Sequence, residues 1–274
     1  MQTAAVCMKS GAVHIELPEA CAELLPGIKW GPIEAFPTPA YWAYQVFAHR
    51  VLGRPINYRL GSSLREEVGA CLLGGHGLPA SVGLAAYHRL RELGAFTGEL
   101  HTESTIYTWL KEPLFVNGRT IQYRFAKQKS RYLAHALLKL QESPPTESGR
   151  QLRDWLVSIR GIGYKTASWV TRNWLHSDEV AILDIHILRA GRLVGLFPDE
   201  LTVQKHYLEL ETLFLEFSNS LGVRASELDA VIWSEMMSSP NSVGDLLGSA
   251  RRGSRRVARA KNSQSYPGQS ALFI

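Results

Sequence analysis

Apolar residues recur at three- and four-residue intervals over most of the chain, the period of amphipathic helices. Leu152, Trp155, Leu156 and Ile159 form one such stripe and predict a short helix ending near Ile159. Arg160-Gly161-Ile162-Gly163 breaks the stripe, and glycine tolerates the positive φ of a tight reversal. A second helix then carries Ala167, Trp169, Val170 and Trp174. Upstream, helices are predicted over Pro39–Leu52, over Ser62–Leu73 with Ser62 or Ser63 as cap, and from Pro79 onward. A long helix is predicted over Gly118–Glu142, with Tyr123, Phe125, Tyr132, Leu133, Leu137 and Leu138 inward. Arg119, Arg124, Lys127, Lys129 and Arg131 would form its polar side. Downstream, Leu201–Phe217 and Ser226–Met237 read as the closing helices. "AVHIEL" near the N-terminus could be a strand, and Pro18, Pro26, Pro32 and Pro37 exclude a long helix there. The fold class is all-α.

The glycine reversal is also chemically suggestive. Its glycines leave backbone N–H groups bare at the N-terminus of the second helix, where the helix dipole favours an anion. Helix, hairpin and helix therefore make a phosphate clamp, and phosphates held this way are often those of a nucleic-acid backbone. Lys165 sits just inside the second helix. Asp184 follows 19 residues later, as N-cap or first residue of a helix carrying His186 and Arg189. A lysine that loses its proton is a nucleophile, and a carboxylate beside it can take protons and stabilise a developing cation. The plainer alternative makes Lys165 one more phosphate contact and Asp184 a helix cap.

"IRGIGYKTA" followed at that spacing by "LDIH" resembles the helix-hairpin-helix DNA glycosylases, the superfamily of 8-oxoguanine DNA glycosylase and endonuclease III. The resemblance covers about 40 residues. It implies two helical lobes flanking a DNA-binding cleft: residues 61–176 as the lobe ending in the hairpin, with 1–60 and 177–240 as the other. Residues 241–274 would be a basic tail. It implies Lys165 as nucleophile, Asp184 as its catalytic partner, and Gly161, Gly163 and His186 as DNA-phosphate contacts. Trp169 lies one helical turn after Lys165 and would either stack on a flipped base or belong to the core. In "LLGGHGLPASVGLAAYHRL", His76 stands where relatives carry a glutamine or asparagine that fills the hole left by the flipped nucleotide. The alternative is an ordinary loop histidine. The Gly-Gly before it departs from the family and makes a roomier loop.

Composition narrows the branch. The three cysteines, Cys7, Cys21 and Cys71, all precede the hairpin, so the four-cysteine iron–sulfur cluster of endonuclease III relatives has no ligands here. That favours the cluster-free 8-oxoguanine branch and suits reduced thiols in the cytoplasm. No apolar run reaches membrane-spanning length, and no secretory signal is visible. The net charge is +5, from 30 Lys and Arg against 25 Asp and Glu. Six of those cations, Arg251, Arg252, Arg255, Arg256, Arg259 and Lys261, lie in the tail, so the rest is nearly neutral. The tail either tracks DNA non-specifically or is a solvated end.

The expected function is base excision through a lysine Schiff base, with associated AP lyase activity and 8-oxoguanine as substrate. One alternative substrate is a bulky phage-type base such as glucosylated hydroxymethylcytosine, excised in antiviral defence. An alternative of another class is a non-enzymatic helix-hairpin-helix DNA-binding protein. No cofactor or metal is expected. The partner is double-stranded DNA containing a modified base, not a membrane, and a monomer is expected.

Overall fold

A computed structural model describes residues 1–53, 59–75 and 77–238 of the 274. The chain opens with two antiparallel hairpins, β1 (Gln2–Met8) with β2 (Gly11–Leu17) and β3 (Glu23–Leu25) with β4 (Ile28–Lys29). Helices α1 (Pro39–Val51), α2 (Leu64–Leu73), α3 (Ala80–Glu92) and α4 (Glu103–Lys111) follow. A third hairpin, β5 (Leu114–Val116) with β6 (Arg119–Ile121), precedes α5 (Ala126–Lys139), α6 (Gly149–Val157) and α7 (Tyr164–Leu175). The described chain ends with α8 (Ile185–Leu193), α9 (Tyr207–Ser220) and α10 (Ala225–Ser238).

Local chemistry sets the helix starts. The hydroxyls of Thr38, Ser63 and Thr102 each accept a first-turn N–H, at Tyr41, Glu66 and Thr105. Pro39 at the first turn of α1 needs no N–H partner.

Apolar burial divides the helices into two clusters. One gathers Trp30 and Trp42 from the N-terminal region with Leu183, just before α8, and with Ile187, Phe214, Phe217, Leu228 and Ile232 from α8, α9 and α10. The other lies wholly within residues 68–170 and includes Leu72, Tyr87, Ile106, Leu133, Leu156 and Val170. The chain thus leaves the first cluster after α1, builds the second, and returns through the Ser177–Leu183 segment. That return is clamped at both sides. Glu179 accepts from the Ser148 hydroxyl and the Arg150 amide at the start of α6. Asp178 accepts from Arg224 and the Ser226 amide at the start of α10. The hairpin helices and the segment leading to Asp184 therefore meet where the two clusters adjoin.

The structure corrects several sequence expectations. The helix expected over Gly118–Glu142 starts only at Ala126, because Asn117 and Gly118 both adopt positive φ and close the β5–β6 hairpin. Asn-Gly between two short extended runs is a strong hairpin signal, and it overrides the helical period here. Arg119 is accordingly on a strand. Leu138 is exposed rather than inward. Lys129 is not on a solvated side: its ammonium donates to the carbonyls of Leu72 (2.6 Å) and Gly74 (3.4 Å) at the end of α2. Residues 201–206 are turns held by bonds such as His206 N–H to Thr202 O, so α9 begins at Tyr207. Among the described residues, three small sheets supplement the helices. His76 and the basic tail lie outside the described residues.

Candidate active site

The turn between α6 and α7 depends on one glycine more than the other. Gly161 has φ +94°, and a Cβ there would stand 2.3 Å from the Tyr132 ring of α5. Only glycine fits both the dihedral and the space. Gly163 has φ −95° and ψ 174°, an extended conformation open to any residue, and nothing lies within 4 Å of where its Cβ would be. Gly161 alone, not both glycines as expected from the sequence, provides the positive φ of the reversal. Gly163 contributes bare backbone at the N-cap of α7, and no side chain caps that helix. Its first-turn N–H groups are left for an external acceptor.

Lys165, in the first turn of α7, points at Asp184. Its Nζ lies 3.8 Å from Asp184 Oδ2, with the lysine 44% exposed and the aspartate 11%. Asp184 is the N-cap of α8, and its Oδ1 accepts from the amides of His186 (2.8 Å) and Ile187 (3.1 Å). One oxygen therefore fixes the helix start and the other faces the lysine. The His186 ring belongs to the first turn of the same helix and is half-buried.

The strap leading to Asp184 is not in a sheet, so its amides need other acceptors. Ala181 N–H donates to Glu211 Oε1 (3.0 Å), Ile182 N–H to Asp229 Oδ2 (3.4 Å) and Leu183 N–H to the Tyr207 hydroxyl (3.2 Å). Three successive amides are thus held by side chains of α9 and α10, which fixes where Asp184 emerges.

A cavity of about 160 Å³ opens beside Lys165 and Asp184. Trp169 and Trp233 line it with Ile182 and Ile187, and Arg172 and Asp229 add a polar end. Trp169 answers to both of its readings: it lines this cavity and also packs on the residue 68–170 cluster. Arg172 Nη2 lies 3.0 Å from Asp229 Oδ1, with both side chains almost fully buried. Arg172, Asp229 and Trp233 were missed in the sequence. Lys165, Trp169 and Arg172 stand at i, i+4 and i+7, and Asp229 and Trp233 at i and i+4, so helical spacing could have grouped them.

Burial pushes the Asp229 carboxyl up to about 7, against the pull of Arg172 and the Ile182 amide. Asp184 and Asp178 push in the same direction as burial. A carboxyl whose pKa is raised by folding stabilises the native state fully below its unfolded value of ~4, and that contribution is lost as pH rises to about 7. Wild type should therefore lose stability relative to Asp229→Asn between pH 4 and 7, with a constant difference above that window. Urea unfolding of both proteins across the range measures this, and a constant difference throughout would mean that Asp229 ionises normally.

Among the described residues, no group of His, Cys, Asp and Glu side chains is placed to hold a metal ion. None of the described helices is long and apolar enough to cross a membrane.

Residues 66–223 match the family model described as 8-oxoguanine DNA glycosylase. The 8-oxoguanine DNA glycosylase/AP lyase of Saccharolobus islandicus is 30% identical over 201 residues, covering 67% of this chain and 89% of that protein. The protein of the same description from Methanocaldococcus jannaschii is 33% identical over 130 residues, covering 45% of this chain and 62% of its own length. The solved structure of the M. jannaschii 8-oxoguanine DNA glycosylase superposes with a TM-score of 0.52 at 24% identity, covering 70% of this chain and 92% of that one. The same glycosylase/lyase in complex with a 15mer DNA containing 8-oxoguanine gives 0.51 at 23%, covering 72% and 98%. The 8-oxoguanine DNA glycosylase of Thermotoga maritima gives 0.51 at 22%, covering 71% and 95%. These structures share the fold, and the family model spans more than half of the chain, the hairpin, Lys165 and Asp184 included. The chain belongs to the helix-hairpin-helix 8-oxoguanine DNA glycosylase family.

Proposed function

We propose that the protein is a bifunctional DNA glycosylase and AP lyase that excises 8-oxoguanine from duplex DNA. The observation that carries this reading is Lys165 Nζ at 3.8 Å from Asp184 Oδ2, beside a base-sized cavity and an uncapped helix N-terminus. A non-enzymatic hairpin protein would have no use for the lysine–carboxylate pair or the cavity beside it.

Each part has a task. The first-turn amides of α7 hold a backbone phosphate. A base inside the stack cannot be attacked, so the target nucleotide rotates out of the duplex. The cavity receives the base between Trp169 and Trp233, where aromatic stacking is worth on the order of 1–3 kcal/mol per base. Arg172 and Asp229 present a donor and an acceptor to its polar edge.

Lys165 attacks the sugar C1′ once its ammonium has given up a proton, and Asp184 Oδ2 is the acceptor within reach. The C–N bond forms as the glycosidic bond breaks, and the base departs with its electron pair and takes a proton. Asp184 stabilises the cationic sugar that develops meanwhile. Ring opening gives the Schiff base, and loss of a C2′ proton then expels the 3′ phosphate.

The substrate choice rests on kinship. The cavity of about 160 Å³ has room for a bicyclic base between its two tryptophans, and kinship favours 8-oxoguanine over the glucosylated alternative. The relatives' names point the same way. Incubation with borohydride and duplexes carrying 8-oxoguanine, glucosylated hydroxymethylcytosine or no modification tests the reading. A covalent adduct with the 8-oxoguanine duplex is expected. An adduct only with the glucosylated duplex would move the assignment, and no adduct with any duplex would remove it.

A further inference from the structure

Glu211 does not line the cavity, yet it touches both halves of the site. Its Oε2 accepts from Arg153 Nη1 of α6 at 2.7 Å, and the two side chains are 6% and 5% exposed. Its Oε1 accepts the Ala181 amide at 3.0 Å. One buried carboxylate therefore joins the first hairpin helix to the strap that ends in Asp184. A second connection runs alongside it. Arg153 lies over the Tyr164 ring, 5.4 Å from its centroid, and Tyr164 immediately precedes Lys165. Tyr164 stacks on Tyr207, with centroids 5.5 Å apart and planes 18° apart. Tyr207 is one helical turn before Glu211 on α9; its hydroxyl accepts from the Leu183 amide and donates to the Ala181 carbonyl at 2.8 Å. The first route runs from α6 to Ala181, and the second from Tyr164, next to Lys165, to Leu183, next to Asp184.

We propose that Glu211 is a positioning residue for base excision: by tying Arg153 to the Ala181 amide, it sets the separation of Lys165 and Asp184. This rests on the glycosylase reading above. An ion pair kept only for stability is replaceable, because a buried pair can give way to neutral side chains at little net cost. A pair that sets geometry is not, since a displacement of about 1 Å can reduce a rate on the order of 100-fold.

Two variants separate these roles. Glu211→Gln keeps an acceptor for Ala181 but loses the charge that holds Arg153. Arg153→Met combined with Glu211→Gln also removes the buried cation, which the single change leaves with only the exposed Asp154, 2.6 Å from its Nε, and so recovers stability that the single change loses. Single-turnover excision of 8-oxoguanine, duplex affinity and melting temperature are measured for both. The single variant is expected to excise roughly 10- to 100-fold more slowly, with a much smaller change in affinity. The double variant is expected to melt nearer to wild type and remain slow. A double variant with both a recovered melting temperature and the wild-type rate would overturn the positioning role, as would a single variant at the wild-type rate. If wild type itself excises nothing and forms no adduct with any modified duplex, the glycosylase reading has failed and the positioning role fails with it.

Discussion

Lys165→Gln should bind duplex DNA about as well as wild type and form no borohydride-trapped adduct. The side chain is 44% exposed and takes no part in either apolar cluster, so its loss costs the fold little. The turn at Gly161 and the free amides of α7 are untouched, so the phosphate clamp persists. What disappears is the only nitrogen at this position able to form an imine, because a glutamine amide is not a nucleophile at neutral pH. Removing a covalent nucleophile from a working group of residues lowers the chemical step by on the order of 10³-fold or more. Trapping and gel-shift measurements on one preparation check both halves. An undiminished adduct would assign the chemistry to another amine, and lost binding would make Lys165 chiefly a DNA contact.

Gly161→Val should be the most damaging single change in the hairpin. Valine at φ +94° is a genuine outlier, costing about 1–3 kcal/mol in backbone strain. Its side chain must also displace the Tyr132 ring, which stands 2.3 Å from the first added carbon, and forced overpacking costs about 1–3 kcal/mol more. Against a net stability of about 5–15 kcal/mol, that sum should lower the urea midpoint clearly and weaken binding to every duplex, damaged or not. Gly163→Ala is the matched comparison. Its dihedrals suit alanine and its surroundings are open, so the midpoint should hardly move, while the added methyl stands in the approach to the α7 amides and weakens binding. Equal stability losses in the two variants would mean that the turn does not distinguish its glycines.

The hairpin, the lysine and the aspartate were legible because each depends on neighbours in sequence. A glycine reversal between two amphipathic stripes, and an aspartate at a helix start, are local patterns. The supports of the site are not local. Glu211 and Asp229 hold amides 30 and 47 residues away. Nothing in "ELETLF" or "ELDAVI" separates a buried acid from a solvated one, because only the packed structure supplies the partner. Glu67 is the same kind of case. In sequence it is one of two acids in the first turn of α2, yet it is fully buried and accepts from the Leu60 and Gly61 amides and from Asn173 of α7. Lys129 was misread for the mirror-image reason: its position in a basic series hid the carbonyls it meets. The β5–β6 hairpin was legible and overlooked, since Asn117-Gly118 gave the signal while the surrounding apolar residues were counted toward a helix.

The division of labour within Asp184 bears on how this site would fare under selection. Active-site groups commonly strain or charge a fold, so that discarding them raises stability at the expense of activity. Asp184 runs the other way, because Oδ1 satisfies two amides at the start of α8 while Oδ2 faces Lys165. Losing a side-chain cap of this kind typically costs ~1 kcal/mol. A variant library sorted only for soluble, folded protein would therefore retain an amide-capping residue at position 184 with no demand for turnover. Asparagine would satisfy that sort and aspartate would satisfy it equally. Position 165 would drift freely under the same regime, so inactive descendants of this enzyme should lose their lysine long before they lose the cap.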